Sequence, residues 1–223
     1  MRIVGKTAIV FGASGLVGSE LLRLLLVSET YSKVIAFVRK RLPDNDAKLT
    51  QVILADFSRL NEYMSHLQAD EVYVCLGTTI RKAGSQAAFR QVDLQYPVTI
   101  AQAAKQAGVP KLLMITAMGA NSQSRIFYNR VKGEVEEQVK AVGLQTLCVF
   151  RPSLLMGNRS ERRPGEEAGA ALSKIIAGIM VGPLRKYRAI PAAVVAKAMF
   201  CVAQQDITGV HVFPSDRIAE IGS

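Results

Sequence analysis

A tyrosine and a lysine four residues apart, Tyr128 and Lys132, are the side chains of this sequence best suited to proton transfer. Apolar residues at Val131, Val135 and Val139 predict a helix, which places the tyrosine and the lysine on one face. A phenol has a pKa of about 10 and is a poor acid or base near pH 7, but a neighbouring ammonium group lowers that pKa. The pair therefore suits general acid–base chemistry.

A hydroxyl group precedes this pair at the end of an apolar segment, Lys111–Thr116, which reads as the fifth strand. Thr116 is placed to hold a substrate carbonyl. The spacing of Tyr128 and Lys132 alone is weak evidence of catalysis, because such a pair also arises by chance on a helix surface. Its position after the fifth strand is what favours a catalytic interpretation.

The elements that must position this chemistry begin with Lys6–Phe11, an apolar segment with the pattern of a buried strand. A glycine-rich loop follows, and then Glu20–Leu26, which reads as a helix. Gly12 allows a sharp turn, Gly15 leaves room for a pyrophosphate, and Gly18 allows close packing of helix on sheet.

Strand, glycine loop and helix together are typical of a dinucleotide-binding motif, in which phosphates lie at the helix N-terminus. The predicted contacts of the loop are Gly12, Ser14, Gly15, Leu16, Val17 and Gly18. The alternative is a glycine-rich turn that binds nothing. With this cofactor, Lys132 could also donate to the nicotinamide ribose hydroxyls.

A second predicted strand, Lys33–Val38, ends at a basic cluster that begins with Arg39 and Lys40. In this type of fold the end of the second strand faces the adenosine ribose, where an acidic residue selects NAD(H) and cations suit a 2′-phosphate. No acidic residue follows this strand until Asp44. The cluster favours NADP(H), the alternative being an exposed basic loop.

Two further strand ends offer cofactor contacts. Asp56 follows the predicted strand Gln51–Leu54 and could accept a hydrogen bond from the adenine amino group, with Phe57 beside the ring; alternatively, Asp56 caps the following helix. Gly77 and Thr78 follow the fourth predicted strand, and small residues there allow the cofactor ribose to approach.

Alternating strands and helices predict an α/β fold, a single Rossmann-type domain over residues 1–223 with a doubly wound parallel sheet. A small C-terminal substrate-side segment is expected at 153–190. Pro97 is expected to kink a helix or to begin a new first turn. The remaining predicted elements are helices Ser58–Leu67, Phe89–Ala107, Ala168–Val181 and Ala192–Gln204, and strands Glu71–Leu76, Gln145–Phe150 and Val210–Phe213.

Composition narrows the function classes. The chain has 223 residues, 49% of them hydrophobic, but it contains no run of 18 apolar residues, so no membrane span is predicted. Three dispersed cysteines and a first strand at the N-terminus favour a reduced, cytoplasmic protein without a signal peptide. No metal site is expected. The net charge of +10 suggests an anionic partner, but no nucleic-acid-binding motif accompanies it.

The motifs carry a family resemblance over nearly the whole chain. The sequence resembles the atypical short-chain dehydrogenase/reductases, and among them it is similar to the Tat-interacting oxidoreductase family. The matching segments are GASGLVGS at 12–19, Arg39-Lys40, CLGTT at 75–79, KAG at 82–84, FRQVD at 89–93, YNRVKGEVE at 128–136, FRP at 150–152 and RPGE at 163–166. The last of these is specific to that family.

The resemblance implies bound NADPH and a proton-transfer role for Tyr128. The contacts it implies are Ser14–Val17, Arg39, Lys40, Leu76, Gly77, Tyr128, Lys132, Leu155 and Arg163. The sequence departs from the family at 116–118, where Thr116 keeps one hydroxyl and Ala117 and Met118 have none. The third catalytic role is therefore open.

Two functions of different classes follow. The first is an NADPH-dependent reductase of a carbonyl or similar acceptor, whose substrate the sequence does not name. The second is an NADP(H)-binding sensor or regulatory protein with little turnover, because the known roles of the resembled family include regulation of a protein partner. The oligomeric state, monomer or homodimer, stays open.

Overall fold

Seven parallel strands form the central sheet of a computed structural model that describes residues 5–156 and 188–223. These are β1 (Lys6–Phe11), β2 (Tyr31–Val38), β3 (Leu49–Ile53), β4 (Glu71–Val74), β5 (Lys111–Ile115), β6 (Thr146–Arg151) and β9 (Gly209–Pro214). The spatial order is β3-β2-β1-β4-β5-β6-β9. Two short strands, β7 (Leu155–Met156) and β8 (Ile190–Pro191), form a separate parallel pair.

Helices cover both faces of this sheet, so the predicted doubly wound α/β fold is confirmed. The helices are α1 (Leu16–Val27), α2 (Ile80–Ala83), α3 (Gln86–Arg90), α4 (Tyr96–Gln106), α5 (Phe127–Ala141), α6 (Ala192–Ala203) and α7 (Ser215–Gly222). A 3₁₀ helix occupies Phe57–His66 and a π segment occupies Gln91–Gln95. The 3₁₀ helix, α4 and α5 pack on one face, and α1 and α6 pack on the other.

Burial on both faces explains why the central strands are continuously apolar. In β1, Ile9 and Phe11 belong to the core under α4 and α5, whereas Ala8 and Val10 belong to the core under α1 and α6. The strand order reverses between β1 and β4, which opens a crevice at the carboxyl ends of these strands. The segments that follow β1, β2, β4 and β5 therefore share one edge of the sheet.

The seven predicted sheet strands are all present, with ends within two residues of the predicted ones. The long helix predicted at 89–107 instead begins at Gln86 and is interrupted by the π segment. Pro97 lies at the start of α4, as expected for a residue that cannot donate a backbone hydrogen bond. The short helix α7 was not predicted from the sequence, and the predicted helix at 168–181 lies outside the described residues.

A buried polar cluster lies at the opposite, amino edge of the sheet. The Glu71 carboxylate, 1% exposed, accepts hydrogen bonds from the hydroxyls of Tyr31 and Tyr73 (2.9 Å for Tyr73) and pairs with Lys6 Nζ at 2.8 Å. The Gln204 side-chain amide donates to the Tyr31 hydroxyl at 2.7 Å. This cluster fastens β1, β2 and β4 to the end of α6.

Candidate functional site

Packing within the chain requires glycine at two positions of the loop after β1. Gly12 has φ of +85°, and a Cβ atom there would lie 2.6 Å from the Cys75 carbonyl oxygen. A Cβ atom at Gly18 would overlap the Gly12 carbonyl oxygen. The first glycine thus allows β1 and β4 to end side by side, and the third allows α1 to start close to the sheet.

The N-terminus of α1 is free of protein acceptors. Gly15 is the N-cap residue, and no side chain caps the helix. The Gly15 N–H donates to the Gly12 carbonyl oxygen at 2.9 Å. Among the described residues, no acceptor faces the N–H groups of Leu16, Val17 and Gly18. Unpaired N–H groups at the positive end of a helix dipole suit an anion such as a phosphate.

The predicted cations Arg39 and Lys40 are exposed directly after β2, and no described carboxylate pairs with either. Next to them, the Tyr96 hydroxyl donates to Asp56 Oδ1 at 3.0 Å. Partial burial and this hydrogen bond raise the pKa of Tyr96, whereas the nearby Arg39 charge lowers it. Tyr96, which the sequence did not single out, therefore hydrogen-bonds to Asp56 and lies near enough to Arg39 to sense its charge.

Asp56 is the N-cap of the 3₁₀ helix. Its Oδ1 accepts the Ser58 N–H at 2.9 Å, and this backbone hydrogen bond is the largest cause of a lowered Asp56 pKa. The Phe57 ring is buried and lies edge-on to Phe11 and Tyr96. The capping alternative for Asp56 is thus observed, and the Phe57 ring belongs to the core, so an adenine contact from Phe57 would involve its main chain.

Lys132 is joined to the loop after β4 through a residue to which the sequence assigned no role. Asp93, in the π segment, lies 2.7 Å from Lys132 Nζ, and its Oδ2 accepts the Thr78 N–H at 2.9 Å. Gly77 and Leu76 are part of the same loop, and a Cβ atom at Gly77 would lie 3.7 Å from Asp93 Oδ1. The structure thus places Leu76–Thr78 and Lys132 around one buried carboxylate.

Tyr128 lies one turn before Lys132 on α5 and is half-buried. Its ring centre is 5.7 Å from that of Phe89 and 5.9 Å from Lys132 Nζ. No described group forms a hydrogen bond with its hydroxyl. The predicted pair therefore shares a face of α5, with the ring held by aromatic packing and the phenol oxygen left available.

Thr116, directly after β5, is buried, and its hydroxyl donates to Glu136 Oε1 at 2.6 Å. The single Arg151 Nε–H is shared between the two oxygens of Glu136, at 3.0 and 3.1 Å. Glu136 follows Lys132 by one helical turn, so α5 presents both residues on one face. The proton of the Thr116 hydroxyl is thus held by Glu136, and a substrate would meet only its oxygen lone pairs.

The loop after β5 is packed directly on α5 at Gly133. A Cβ atom at this glycine would overlap the backbone of Asn121 and Ser122. The Ser122 hydroxyl donates to Glu137, and the Asn121 N–H donates to the Asn129 carbonyl at 3.0 Å. The Lys132-Gly133 sequence therefore combines a charged group with a close approach between loop and helix, which a local pattern does not reveal.

Comparison with known proteins identifies the family. The model of the NAD dependent epimerase/dehydratase family matches residues 8–206. The chain belongs to this family. Protein HTATIP2 of Rattus norvegicus is 34% identical to the chain over 201 residues, covering 89% of this chain and 81% of that protein. Protein fmp52, mitochondrial, of Emericella nidulans is 32% identical over 176 residues, covering 76% and 73%. The resemblance predicted from the motifs is thereby confirmed.

Solved structures share the fold of this epimerase/dehydratase family chain. The Bordetella bronchiseptica enzyme WbmH in complex with NAD+ has a TM-score of 0.71 and 18% identity, covering 94% of this chain and 76% of that one. A short chain dehydrogenase from Burkholderia cenocepacia in complex with NADP has a TM-score of 0.67 and 15% identity, covering 99% and 93%. At these identities the likeness establishes the fold.

The remaining predicted contacts of this family member lie on its C-terminal side. Leu155 is half-buried in β7, where it pairs with Ile190. Arg163 lies outside the described residues.

In the described parts of the chain, no helix has the length and apolar character needed to cross a bilayer.

Proposed function

We propose that this protein is an NADPH-dependent reductase of a carbonyl-type substrate. The observation that carries the proposal is the position of Tyr128 and Lys132 on one face of α5, together with the link that Asp93 makes between Lys132 and the loop after β4. That loop and the free N-terminus of α1 lie on the same edge of the sheet. Membership in the epimerase/dehydratase family and neighbours in complex with NAD+ and NADP support a nicotinamide dinucleotide.

The residues present fit such a cofactor. The unpaired N–H groups at Leu16–Gly18 would bind its pyrophosphate, and Gly15 leaves the space for it. Arg39 and Lys40, which are exposed and have no ion-pair partner among the described residues, would bind a 2′-phosphate, which is why we favour NADP(H) over NAD(H). When bound, the nicotinamide supplies a hydride.

The side chains of the chain itself supply the proton and the orientation. Tyr128 would donate its phenol proton to a substrate oxygen. Lys132 has three N–H donors, and its contact with Asp93 is an ion pair without hydrogen-bond geometry, so these donors would be available to the ribose hydroxyls. Thr116 is oriented by Glu136, which fixes its lone pairs at the end of β5.

A second function is favoured by one observation. The Thr116 hydroxyl proton is held by Glu136, so the usual donor to a substrate carbonyl is engaged. This supports the alternative of an NADP(H)-binding sensor that regulates a protein partner.

A cytoplasmic location remains a prediction, because a fungal relative carries the name mitochondrial.

A panel of carbonyl compounds, with NADPH oxidation followed by absorbance, separates the two functions. A reductase turns over at least one compound, and Tyr128→Phe slows the chemical step by roughly 10²–10⁴ while NADPH affinity changes little. Tyr63→Phe, which removes the same atom from a half-buried tyrosine of the 3₁₀ helix, serves as the control. A sensor binds NADPH tightly and oxidises none of the panel.

Turnover that survives in Tyr128→Phe would remove this residue from the mechanism. Lys132→Met is expected to weaken both turnover and NADPH binding, because it removes a ribose donor and the positive charge beside the phenol.

A further inference from the structure

Asp93 is a buried carboxylate at the centre of the site, with 1% of its surface exposed. Its two oxygens face different parts of the chain. Oδ1 forms the ion pair with Lys132 Nζ on α5, and Oδ2 accepts the N–H of Thr78 in the loop after β4. The Lys132 side chain is itself only 5% exposed. One carboxylate thus connects the lysine to the loop.

The local backbone favours this function over a role in helix formation. Asp93 lies in the π segment, where the Tyr96 N–H bonds to the Gln91 carbonyl, five residues earlier. Aspartate is a poor residue for a helix interior, and π segments occur frequently at functional sites. The π segment adds one residue to the turn that carries this carboxylate.

Charge balance makes the two groups dependent on each other. Burial of a single charge is costly unless it is paired. Within residues 5–156 and 188–223 no other ion pair involves Asp93 or Lys132. The 2.7 Å contact lacks the angles of a hydrogen bond, so it is an ion pair that does not use up a well-aligned donor of Nζ.

We propose that Asp93 is a positioning residue that fixes Lys132 Nζ beside the Leu76–Thr78 loop, in the orientation that a nicotinamide ribose requires. This inference rests on the proposed NADPH site and deepens it. Asp93 does not touch the reacting atoms, and it acts through Lys132. Without its charge, the ammonium group has no fixed location, and its donors are no longer preorganised for the ribose hydroxyls.

NADPH affinity of Asp93→Asn, measured by calorimetric titration, tests the proposal. We expect binding about tenfold weaker than in the parent, the loss of one charge-assisted contact. The matched control is Glu71→Gln, which removes a carboxylate of equal burial that pairs with Lys6 at 2.8 Å on the other edge of the sheet. Both variants should unfold at a lower urea concentration than the parent, but Glu71→Gln should keep the parental NADPH affinity.

A double variant distinguishes positioning from general stability. In a Lys132→Met background, Asp93→Asn should weaken NADPH binding no further, because the group through which it acts is gone. Equal losses in both backgrounds would show that Asp93 acts only by holding the fold, and would overturn the proposal. If Asp93→Asn does not fold, Asp93→Glu keeps the charge and lengthens the side chain, and should weaken binding by a smaller factor.

Failure of the inference and failure of the proposed function give different results. Parental affinity in folded Asp93→Asn, or in Asp93→Glu where only that variant folds, overturns the inference and leaves the NADPH site intact. A parent protein that does not bind NADPH overturns the proposed function and the inference with it.

Discussion

Gly15→Val should separate nucleotide binding from folding. Gly15 has φ of −81° and ψ of 170°, which any L-residue adopts without strain. A Cβ atom there would lie 3.1 Å from the Gly12 carbonyl oxygen and 3.8 Å from that of Cys75, with no other described atom within 4 Å apart from chain neighbours. The small shift this requires is offset by the reduced freedom of the unfolded chain, so the free energy of unfolding should change by less than about 1 kcal/mol.

The expected loss of NADPH affinity is much larger. The valine side chain would stand in front of the unpaired N–H groups of Leu16 and Val17. Each charge-assisted hydrogen bond to a phosphate contributes about 1.5 kcal/mol or more, so losing two should weaken binding roughly a hundredfold. Calorimetric titration gives the affinity, and urea unfolding gives the stability of the same sample.

Two other glycines provide controls. Gly143 has φ of +71° in a turn ahead of β6, so Gly143→Ala should lower stability by about 1 kcal/mol and leave NADPH binding unchanged. Gly18→Ala should fail to fold, because its Cβ atom would overlap the Gly12 carbonyl. Undiminished NADPH affinity in a folded Gly15→Val protein would refute the assignment of this loop to phosphate binding.

Three other predictions concern charge. Reversing Arg39 and Lys40 to glutamate should remove most of an at least tenfold preference for NADPH over NADH, and equal affinities in the parent would make the pair ordinary surface. Glu136→Gln should lower the free energy of unfolding by about 1–3 kcal/mol in urea, since it breaks a partly exposed ion pair, and an unchanged midpoint would contradict this. Burial and the Glu71 charge raise the pKa of Tyr31 and Tyr73, so folding retains protons that the unfolded chain loses above about pH 10. Stability should therefore fall as pH rises above that value, and less so in the Tyr31→Phe/Tyr73→Phe variant.

The parts of the fold and site that were predictable depend on neighbours in sequence. The apolar segments gave the strands, and their alternation with helices gave the parallel sheet. The glycine loop was predictable because β1, the loop and α1 are consecutive in sequence, and Arg39 and Lys40 were predictable because they directly follow β2. The pairing of Tyr128 and Lys132 on one face followed from helical geometry alone.

The parts that were missed depend on tertiary contacts. Asp93 and Lys132 are 39 residues apart, and nothing near Asp93 in sequence indicates that its carboxylate would be buried. Glu136 reads as an ordinary helix surface residue until β6 places Arg151 beside it. Tyr96 and Gly133 likewise gain their roles from the packing of α4 on the 3₁₀ helix and of a loop on α5.

The polar cluster at the amino edge has a consequence for the order of folding during synthesis. The ribosome synthesises three members of the cluster early, namely Tyr31, Glu71 and Tyr73. Gln204 donates to the Tyr31 hydroxyl and lies 173 residues after Tyr31 in the chain. The nascent first half of the domain therefore carries a tyrosine–carboxylate cluster that lacks the Gln204 hydrogen bond until α6 has been synthesised. A chain halted before residue 204 therefore leaves the Tyr31 hydroxyl without this donor and the edge without the packing of α6.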